Sequence, residues 1–345
     1  MKKSHKIESY ILTELLKAGS ECVSGAMLAD HLSISRSAIW GRLEKLRKEG
    51  FKFEATPNRG YRLRQEPNGL HPSLLYAYLK IKKISIPFQY FPEIDSTNAE
   101  ANRWLADGKQ TPFVVVADKQ THGRGRLGRQ WHSPSEGNIY FSFAFQPRLP
   151  PTRMQAFTLW AGMNLCKALR KHTQMPLGVK WPNDLFLSGR KVGGMLTEAR
   201  VDSDWVHSLI FGLGLNVNSD CSAWEGSLPE IAHSLSMEAG KPIAMTPLAV
   251  RVITTVLEAY DEFISSEDCL SRLLKEWKDY DVLAGHLVNG RSGNQALEGI
   301  ARGIDEQGAL CIRLNSGQVA KVHAGEVSLQ YNLSKGPELT GKSEN

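Results

Sequence analysis

The sequence predicts an α+β protein of three domains, and three observations lead to this fold class. Residues 1–66 have the pattern of three helices and a β-hairpin, residues 67–275 alternate strand and helix patterns, and residues 276–332 contain short strands split by tight turns. The chain has 345 residues, of which 41% are hydrophobic and 23% charged. This composition is that of an ordinary globular protein, and the length suffices for several domains. The polar tail, residues 333–345, is predicted to be disordered.

The N-terminal domain is basic. Residues 1–66 hold 13 Lys or Arg and 8 Asp or Glu, and therefore carry +5 of the chain's formal net charge of +6. A small basic domain joined to a nearly neutral remainder indicates a nucleic-acid-binding surface.

The elements of this domain predict a winged helix-turn-helix. Residues 7–16 have helical spacing of apolar side chains, and residues 24–32 form a short second helix that begins with a serine cap. Ser35 caps a third helix, Arg36–Lys48, and residues 51–63 have the pattern of a hairpin, which is the wing.

We expect the third helix to enter the major groove of DNA while basic side chains contact phosphates. The alternatives are a protein-docking domain and a helix whose charges are only solvated. The candidate DNA-binding residues are Ser35, Arg36, Ser37, Trp40, Arg42 and Lys45 on the helix, with Arg59 and Arg62 on the wing.

Two changes of composition mark the domain boundaries. Residues 65–69 are polar and rich in turn formers, which predicts a linker at about residue 66. After residue 275, the short strands 299–304, 309–314 and 318–322 predict a β-barrel of SH3-like size.

The cysteines and the N-terminus bear on location. The five cysteines are scattered and form no C-x-x-C pair, which favours reduced thiols in the cytoplasm over a zinc or disulfide framework. Glu8 and Glu14 interrupt the basic start, so it is not a signal peptide, and no apolar run is long enough to span a membrane.

A loop in the central domain alternates three glycines with three arginines, Gly123–Arg129. It follows the apolar run 113–117, a predicted buried strand. Glycine allows close approach of the backbone to a ligand, and arginine forks match phosphate and carboxylate groups. The loop is therefore predicted to order around a polyanion such as a nucleotide triphosphate.

The same glycines match the G-x-G-x-x-G pattern of dinucleotide-binding proteins. That pattern requires a helix to begin at the glycines. Here a turn-rich stretch and a second strand pattern, residues 139–145, follow instead. We therefore reject the dinucleotide interpretation, and a merely solvated basic loop remains as the alternative.

Other polar clusters of the central domain accompany this loop. Residues 95–98 precede a helix pattern and can point small polar groups at a ligand, although a simple helix cap explains them too. Gln120 ends a strand, and its amide can recognise a urea-like group. Residues 180–196 combine two lysines, an Asn-Asp pair and a double glycine on a predicted hairpin. Residues 212–218 form a glycine-containing strand in which Asn216 is either a ligand contact or a satisfied core amide.

In this order and spacing, the clusters closely resemble the biotin–protein ligases. The shared motifs are D-S-T-N at 95–98, G-R-G-R-x-G-R at 123–129, K-W-P-N-D at 180–184 with R-K-x-x-G after it, and G-x-G-x-N at 212–216. Leu127 takes the variable position of the loop, where an arginine is also familiar. The resemblance covers residues 7–330, and the winged helix makes the chain similar to the family's bifunctional ligase–repressors. It implies a central mixed sheet with flanking helices, as in class II aminoacyl-tRNA synthetases.

The resemblance also implies a reaction. Biotin and ATP, with Mg²⁺ on the phosphates, give biotinyl-5′-AMP, and biotin then passes to a lysine of the biotin carboxyl carrier protein of acetyl-CoA carboxylase. The implied catalytic residues are Lys191 and Arg126. The implied biotin-binding residues are Ser96, Thr97, Asn98, Gln120, Arg124, Gly125, Arg126, Lys191 and Gly194. The implied ATP-binding residues are Arg129, Trp131, Asn183 and Asn216, with no protein metal ligand.

The expected partners are operator DNA, the carrier protein and a second copy of the chain in a homodimer, with biotinyl-5′-AMP as corepressor. Three alternatives remain. The first is a relative that handles lipoate or octanoate, and the second is a biotin-sensing repressor without catalysis. The third is a ligase whose N-terminal domain no longer represses.

Overall fold

A computed structural model of the protein describes residues 3–134, 137–202, 204–224, 226, 228–266, 268–292, 295–323 and 327–329. The helices of these residues are α1 (Lys3–Ala18), α2 (Gly25–Leu32), α3 (Arg36–Lys48), α4 (Pro72–Ile81), α5 (Thr97–Ala106), α6 (Met154–Thr173), α7 (Leu228–Ile231), α8 (Leu235–Ala239), α9 (Met245–Ser265) and α10 (Cys269–Trp277). The strands are β1 (Lys52–Thr56), β2 (Gly60–Gln65), β3 (Phe88–Phe91), β4 (Phe113–Ala117), β5 (Asn138–Phe145), β6 (Gly178–Lys180), β7 (Asp184–Leu187), β8 (Arg190–Asp202), β9 (Trp205–Asn216), β10 (Leu287–Ser292), β11 (Gln295–Ile304), β12 (Leu310–Leu314), β13 (Val319–Val322) and β14 (Val327–Leu329). No helix in these ranges is long and apolar enough to cross a membrane. The predicted disordered tail lies outside the described residues.

The N-terminal helix-turn-helix is confirmed, with its hairpin wing. Ser24 caps α2, and Ser35 caps α3 by accepting a 3.1 Å hydrogen bond from the amide of Ala38. Between the two helices, Ser33 adopts a positive φ of 51°. The two serine caps thus satisfy free amides at the helix starts that the sequence indicated.

The helix α4 joins the first domain to the second. It lies beyond the linker, yet Leu74 and Ala77 of α4 share one buried cluster with Leu12, Leu46 and Phe51 of the N-terminal domain. The sequence boundary at residue 66 therefore falls before a helix that contributes to the core of the first domain.

The central domain is built on a seven-stranded mixed sheet, as predicted. The strand order is β3-β4-β5-β9-β8-β7-β6, in which only β3 and β4 are parallel neighbours. Alternate residues of β4 face opposite sides, since Val114 and Val116 lie in the large core with α6 and α9, whereas Phe113 and Val115 pack with α5. The face that carries α5 is only partly covered, and it positions the site.

The C-terminal domain is an antiparallel sheet with the order β13-β12-β11-β10-β14. It contacts the central domain through the indole nitrogen of Trp181, which donates a 2.9 Å hydrogen bond to the carbonyl of Gly308. Among the described residues, β13 and β14 do not pair, so closure into a barrel stays a prediction.

Candidate active site

A cavity of about 270 Å³ lies on the α5 face of the central sheet. It is bounded by the Gly/Arg loop, the start of α5, and the β6–β8 segment. Nearly all of the predicted site residues of this domain line it: Ser96, Thr97, Asn98, Gln120, Arg124, Gly125, Arg126, Arg129, Trp131, Asn183, Lys191 and Gly194. Segments that lie far apart in sequence thus meet at one site.

Two glycines form the floor of this cavity. Gly194 of β8 pairs with Gly214 of β9, and the indole of Trp131 lies directly on both. A Cβ atom would lie 2.6 Å from the Trp131 ring at Gly194 and 2.7 Å from it at Gly214. The sequence indicated a close approach to the double glycine, and the structure identifies Trp131 as the approaching group. The importance of Gly214 was not predicted.

One end of the cavity is a network of neutral hydrogen-bonding groups. Gln120 accepts from the amide of Thr97 at 2.9 Å and from its hydroxyl at 3.0 Å, and donates to Ser133 at 3.1 Å. Ser142, on the adjacent strand, donates to the Thr97 hydroxyl at 2.8 Å. The network fixes the orientation of the Gln120 amide. Ser133 and Ser142 belong to no motif, so neither was predicted as part of the site.

Asn98 is held between β9 and a carboxylate. Its amide nitrogen donates to Glu198 at 2.7 Å, and a Cβ atom at Gly212 would lie 2.4 Å from its amide oxygen. Glu198 also lies 3.9 Å from the guanidinium of Arg124. Glu198 was not predicted as part of the site; it links the start of α5 to the Gly/Arg loop.

Asp95 does not line the cavity. Its carboxylate is bound by the guanidinium of Arg103 through bonds of 2.9 and 2.8 Å, and also accepts from the amide of Ser96. The Arg103 guanidinium, followed by that backbone bond, holds the pKa of Asp95 at about 2. Asp95 therefore fixes the turn before α5 and leaves Ser96 to cap the helix.

The opposite wall of the cavity is cationic. The ammonium of Lys191 lies 2.7 Å from the carboxylate of Asp184 and 5.0 Å from the ring centre of Trp131. Arg126 donates to the Asn183 side chain at 3.3 Å, and that side chain donates to the Met195 carbonyl at 2.7 Å. The wall thus offers two positive groups at the cavity, which suits an anionic ligand.

The Gly/Arg loop opens no helix, as predicted. Its centre is a single 3₁₀ turn, Arg126–Gly128, and its base is closed by a 2.7 Å bond from the amide of Gly125 to the carbonyl of Arg129. Leu127 has a positive φ of 57° and is 74% exposed. A branched side chain in the left-handed region is unfavourable, so the turn is held by its surroundings.

Asn216 is not among the residues that line the cavity. Its side chain is buried and donates to the carbonyl of His233 at 3.1 Å. This geometry matches the satisfied core amide that the sequence left open, and its role in nucleotide binding stays a prediction.

A second cavity, of about 510 Å³, lies at the end of β4 and is lined in part by Gly69, Asp118 and Asn218. Asp118 accepts a hydrogen bond from the hydroxyl of Tyr90, and its other oxygen is buried without a partner among the described residues. Burial raises the pKa of Asp118 to about 6, although the Tyr90 bond opposes this.

The predicted DNA-binding residues fall into two groups. Ser35, Arg36, Ser37 and Trp40 are exposed on one end of α3, and Trp40 is 55% exposed although it is a large apolar side chain. The second group is Arg42, Lys45 and Arg62, which bind carboxylates of the domain. Arg59 is exposed at the wing tip. The first group and Arg59 therefore form the surface most available to DNA.

Comparison with known proteins agrees with this architecture. Residues 90–216 match the biotin/lipoate A/B protein ligase family, residues 8–62 match a helix-turn-helix domain, and residues 285–330 match the biotin protein ligase C-terminal domain.

Two relatives span nearly the whole chain. The chain is 32% identical to the bifunctional ligase/repressor BirA of Bacillus subtilis and 30% identical to that of Escherichia coli, in each case across 91% of this chain and 95% of the relative. The fold is also similar to the biotin protein ligase from Aquifex aeolicus in complex with biotin and ATP, with a TM-score of 0.60 and 29% identity over 71% of this chain and 98% of that one. The chain therefore belongs to the biotin protein ligases, in the group of bifunctional ligase/repressors that carry an N-terminal helix-turn-helix domain.

Proposed function

We propose that this ligase makes biotinyl-5′-AMP in the 270 Å³ cavity and then transfers biotin to a lysine of the biotin carboxyl carrier protein of acetyl-CoA carboxylase. The observation that carries the proposal is the polarity of the cavity. A neutral hydrogen-bonding end around Gln120 adjoins a cationic wall around Lys191, which suits a substrate with a urea group and a carboxylate.

The first step joins two anions. A biotin carboxylate oxygen forms a bond to the α-phosphorus of ATP, and the bond from that phosphorus to the leaving pyrophosphate breaks. Lys191 and Arg126 stabilise the negative charge that develops between the reactants. The enzyme needs no nucleophile of its own, because the carboxylate is supplied by the substrate.

Biotin occupies the neutral end. The start of α5 and Gln120 hold the ureido ring, and the backbone near Gly125 and Gly194 holds the acyl tail. Four groups support this assignment, since Ser96, Thr97, Asn98 and Gln120 all line the cavity. In this orientation the carboxylate points toward Lys191.

The nucleotide occupies the other end, with Arg129 and Asn183 as contacts. Asn216, the other predicted contact, does not line the cavity and donates to the carbonyl of His233 instead. Trp131 packs on the adenine, since its ring lines the cavity above the glycine floor. Mg²⁺ bound to the phosphates would neutralise part of their charge, and no side chain of the cavity is assigned as its ligand.

A pyrophosphate-release assay tests the ligase function. Release should require both biotin and ATP, and a carrier domain should then become labelled on one lysine. Biotin binding without pyrophosphate release would leave a non-catalytic sensor, and release with lipoate or octanoate in place of biotin would favour the other branch of the family.

We further propose that the N-terminal domain represses biotin-synthesis genes with biotinyl-5′-AMP as corepressor, and that the chain acts in the reducing cytoplasm, which suits its five free cysteines. Operator binding uses the exposed end of α3 and the wing. A single small domain makes few phosphate contacts, so useful specificity requires two of them on a symmetric site.

The pair of domains is supplied by a C2 dimer of the central domain. Beyond Gly194, the described part of β8 pairs only with β9, so residues 196–202 leave one strand edge open. Val201 and Trp205, near the tip of this hairpin, are each 49% exposed. An open edge with apolar side chains is suited to pairing with a second copy.

Sedimentation of the apo and adenylate-bound protein, together with operator titration, tests this arrangement. We expect Val201→Pro to weaken both dimerisation and operator affinity, because proline removes a donor from the edge. Ile264→Ser is the control, because Ile264 is an exposed apolar residue elsewhere on the surface, and it should leave both dimerisation and operator affinity unchanged. Ile231→Pro cannot serve as the control, because Ile231 lies in the helix α7. Equal dimerisation with and without the adenylate, together with an unchanged operator affinity, would contradict the corepressor role.

A further inference from the structure

A buried carboxylate connects the recognition helix to the central domain. The side chain of Glu8, on α1, is only 1% exposed. It lies 2.7 Å from the ammonium of Lys45 and 3.5 Å from the guanidinium of Arg42, both on α3. Ser73, in the first turn of α4, donates to it at 3.3 Å.

A buried charge is stable only when it is paired and hydrogen-bonded, so these donors have little freedom to move independently. Glu8 thus fixes the middle of α3 against α4. A second contact fixes the end of α3, since Glu49 at its C-cap lies 3.0 Å from the ring of His71, which caps α4.

The linker before α4 is in turn bound to α9. The carbonyl of Asn68 accepts from the amide of Met245 at 2.8 Å, and the hydroxyl of Thr246 accepts from the amide of His71 at 3.0 Å and donates to the carbonyl of Gly69 at 3.2 Å. The start of α9 and the start of α4 therefore hold each other in place.

The segment that enters α9 is bound to the end of β9. Asn218 accepts from the amide of Ile243 at 2.8 Å and donates to its carbonyl at 2.9 Å. The chain that continues from Asn218 reaches the active-site loop, because the carbonyl of Ala223 lies 2.8 Å from the ring of His132, the neighbour of Trp131. A contiguous set of bonds therefore runs from Trp131 to α3.

We propose that Glu8 is the positioning residue through which occupancy of the active site sets the orientation of α3 within one subunit. The proposal rests on the proposed corepressor function. When the nucleotide end of the adenylate packs on Trp131, the restraint passes through His132 to the segment after β9. It continues through α9 and the linker to α4, and Glu8 transmits it to α3. The coupling is a difference in operator affinity between the two ligand states.

The test measures the operator Kd of the full chain with and without biotinyl-5′-AMP, and the ratio is the coupling factor. In Glu8→Gln we expect this factor to fall by about tenfold, within the range usual for allosteric coupling. The affinity without adenylate should not fall, because Lys45 and Arg42 are released to contact phosphate. A merely structural role would instead lower both affinities. Adenylate formation should be unchanged.

Glu14→Gln is the matched control, since Glu14 lies on the same helix and pairs with Lys17 at the surface. Ser73→Ala is the second variant, because it removes the bond to α4 and leaves the ion pairs within the N-terminal domain. It should lower the coupling factor, and it decides the outcome should Glu8→Gln fail to fold.

Full coupling in folded Glu8→Gln, or in Ser73→Ala, would overturn the role of Glu8. Absence of any adenylate effect in the unaltered protein would instead overturn the corepressor function, so the two failures are distinguishable.

Discussion

The ammonium of Lys191 lies 2.7 Å from the carboxylate of Asp184 on the wall of the cavity. The carboxylate holds the lysine in place before substrates arrive, which lowers the cost of orienting it at the moment of reaction. Anionic reactants then compete with Asp184 for the same positive charge. The pair therefore keeps a flexible side chain ready for use at a defined position.

Replacement of Lys191 by alanine should remove this charge and leave the fold intact. We expect adenylate formation to slow by a factor of about 10² to 10³, the usual effect of losing one such contact in a water-excluded site. Pyrophosphate release measures it, with Lys167→Ala, a surface lysine, as the control. Turnover near that of the unaltered enzyme would remove Lys191 from the mechanism.

Arg126→Gly should release biotinyl-5′-AMP before transfer. The loop loses the bond from Arg126 to Asn183 and one positive charge, so it retains the adenylate less well. Biotinylation of bystander proteins, detected by blotting, should rise above that of the parent. Lys119→Gly is the control, because it removes a positive charge at the surface, outside the cavity, and labelling should stay specific. Strict selectivity in Arg126→Gly would refute the retention role.

Substitutions at two glycines of β9 should affect the KM values of the two substrates differently. At Gly212 a Cβ atom would meet Asn98, and at Gly214 it would meet Trp131. We therefore expect Gly212→Ala to raise the KM for biotin and Gly214→Ala to raise the KM for ATP, each by about tenfold or more if the neighbour shifts by an ångström. Gly41→Ala, which meets open space, should change neither. The opposite pattern would exchange the two subsites.

The Tyr90–Asp118 pair predicts a dependence of stability on pH. Burial raises the pKa of Asp118 from 3.8 in its ordinary state to about 6 in the folded protein. The folded state therefore binds a proton more readily than the unfolded state, and the stabilisation present below pH 4 is lost as the pH rises through about 6. Asp118→Asn should lack this loss.

Thermal unfolding of the unaltered protein and of Asp118→Asn between pH 4 and 8 measures this loss of stability. The midpoint of the unaltered protein should fall relative to that of Asp118→Asn across this window. A constant difference would show that the carboxyl titrates at its ordinary pKa.

Much of the fold follows from local signals. The serine at position 35 begins α3, which spans the predicted residues Arg36–Lys48, and the apolar run 113–117 is β4. The contribution of α4 to the N-terminal core was not predictable, because it depends on which surface Leu74 meets after the linker. Closure of the C-terminal sheet also depends on pairing between distant strands.

Residues of the candidate site were predictable where they belong to a motif whose residue types suit one kind of ligand. The Gly/Arg loop, Gln120 and Lys191 line one cavity because β4, which precedes the first two, and β8, which carries the third, belong to one sheet. Ser142 and Glu198 were missed because a serine or glutamate on a strand has many explanations. Lys45 was predicted to contact DNA, but its ammonium binds the carboxylate of Glu8. A basic side chain on a helix can point to a carboxylate of the same domain as well as to solvent.

The pairing of Lys45 and Arg42 with Glu8 changes how ionic strength acts on the protein. Each phosphate neutralised on DNA releases condensed counterions and steepens the logarithmic salt dependence by about 0.9. Two cations held by an internal carboxylate release none, so operator binding varies with salt less than the basic composition of the domain suggests. A larger share of its affinity should then come from contacts that salt does not screen, such as those predicted for the exposed Trp40.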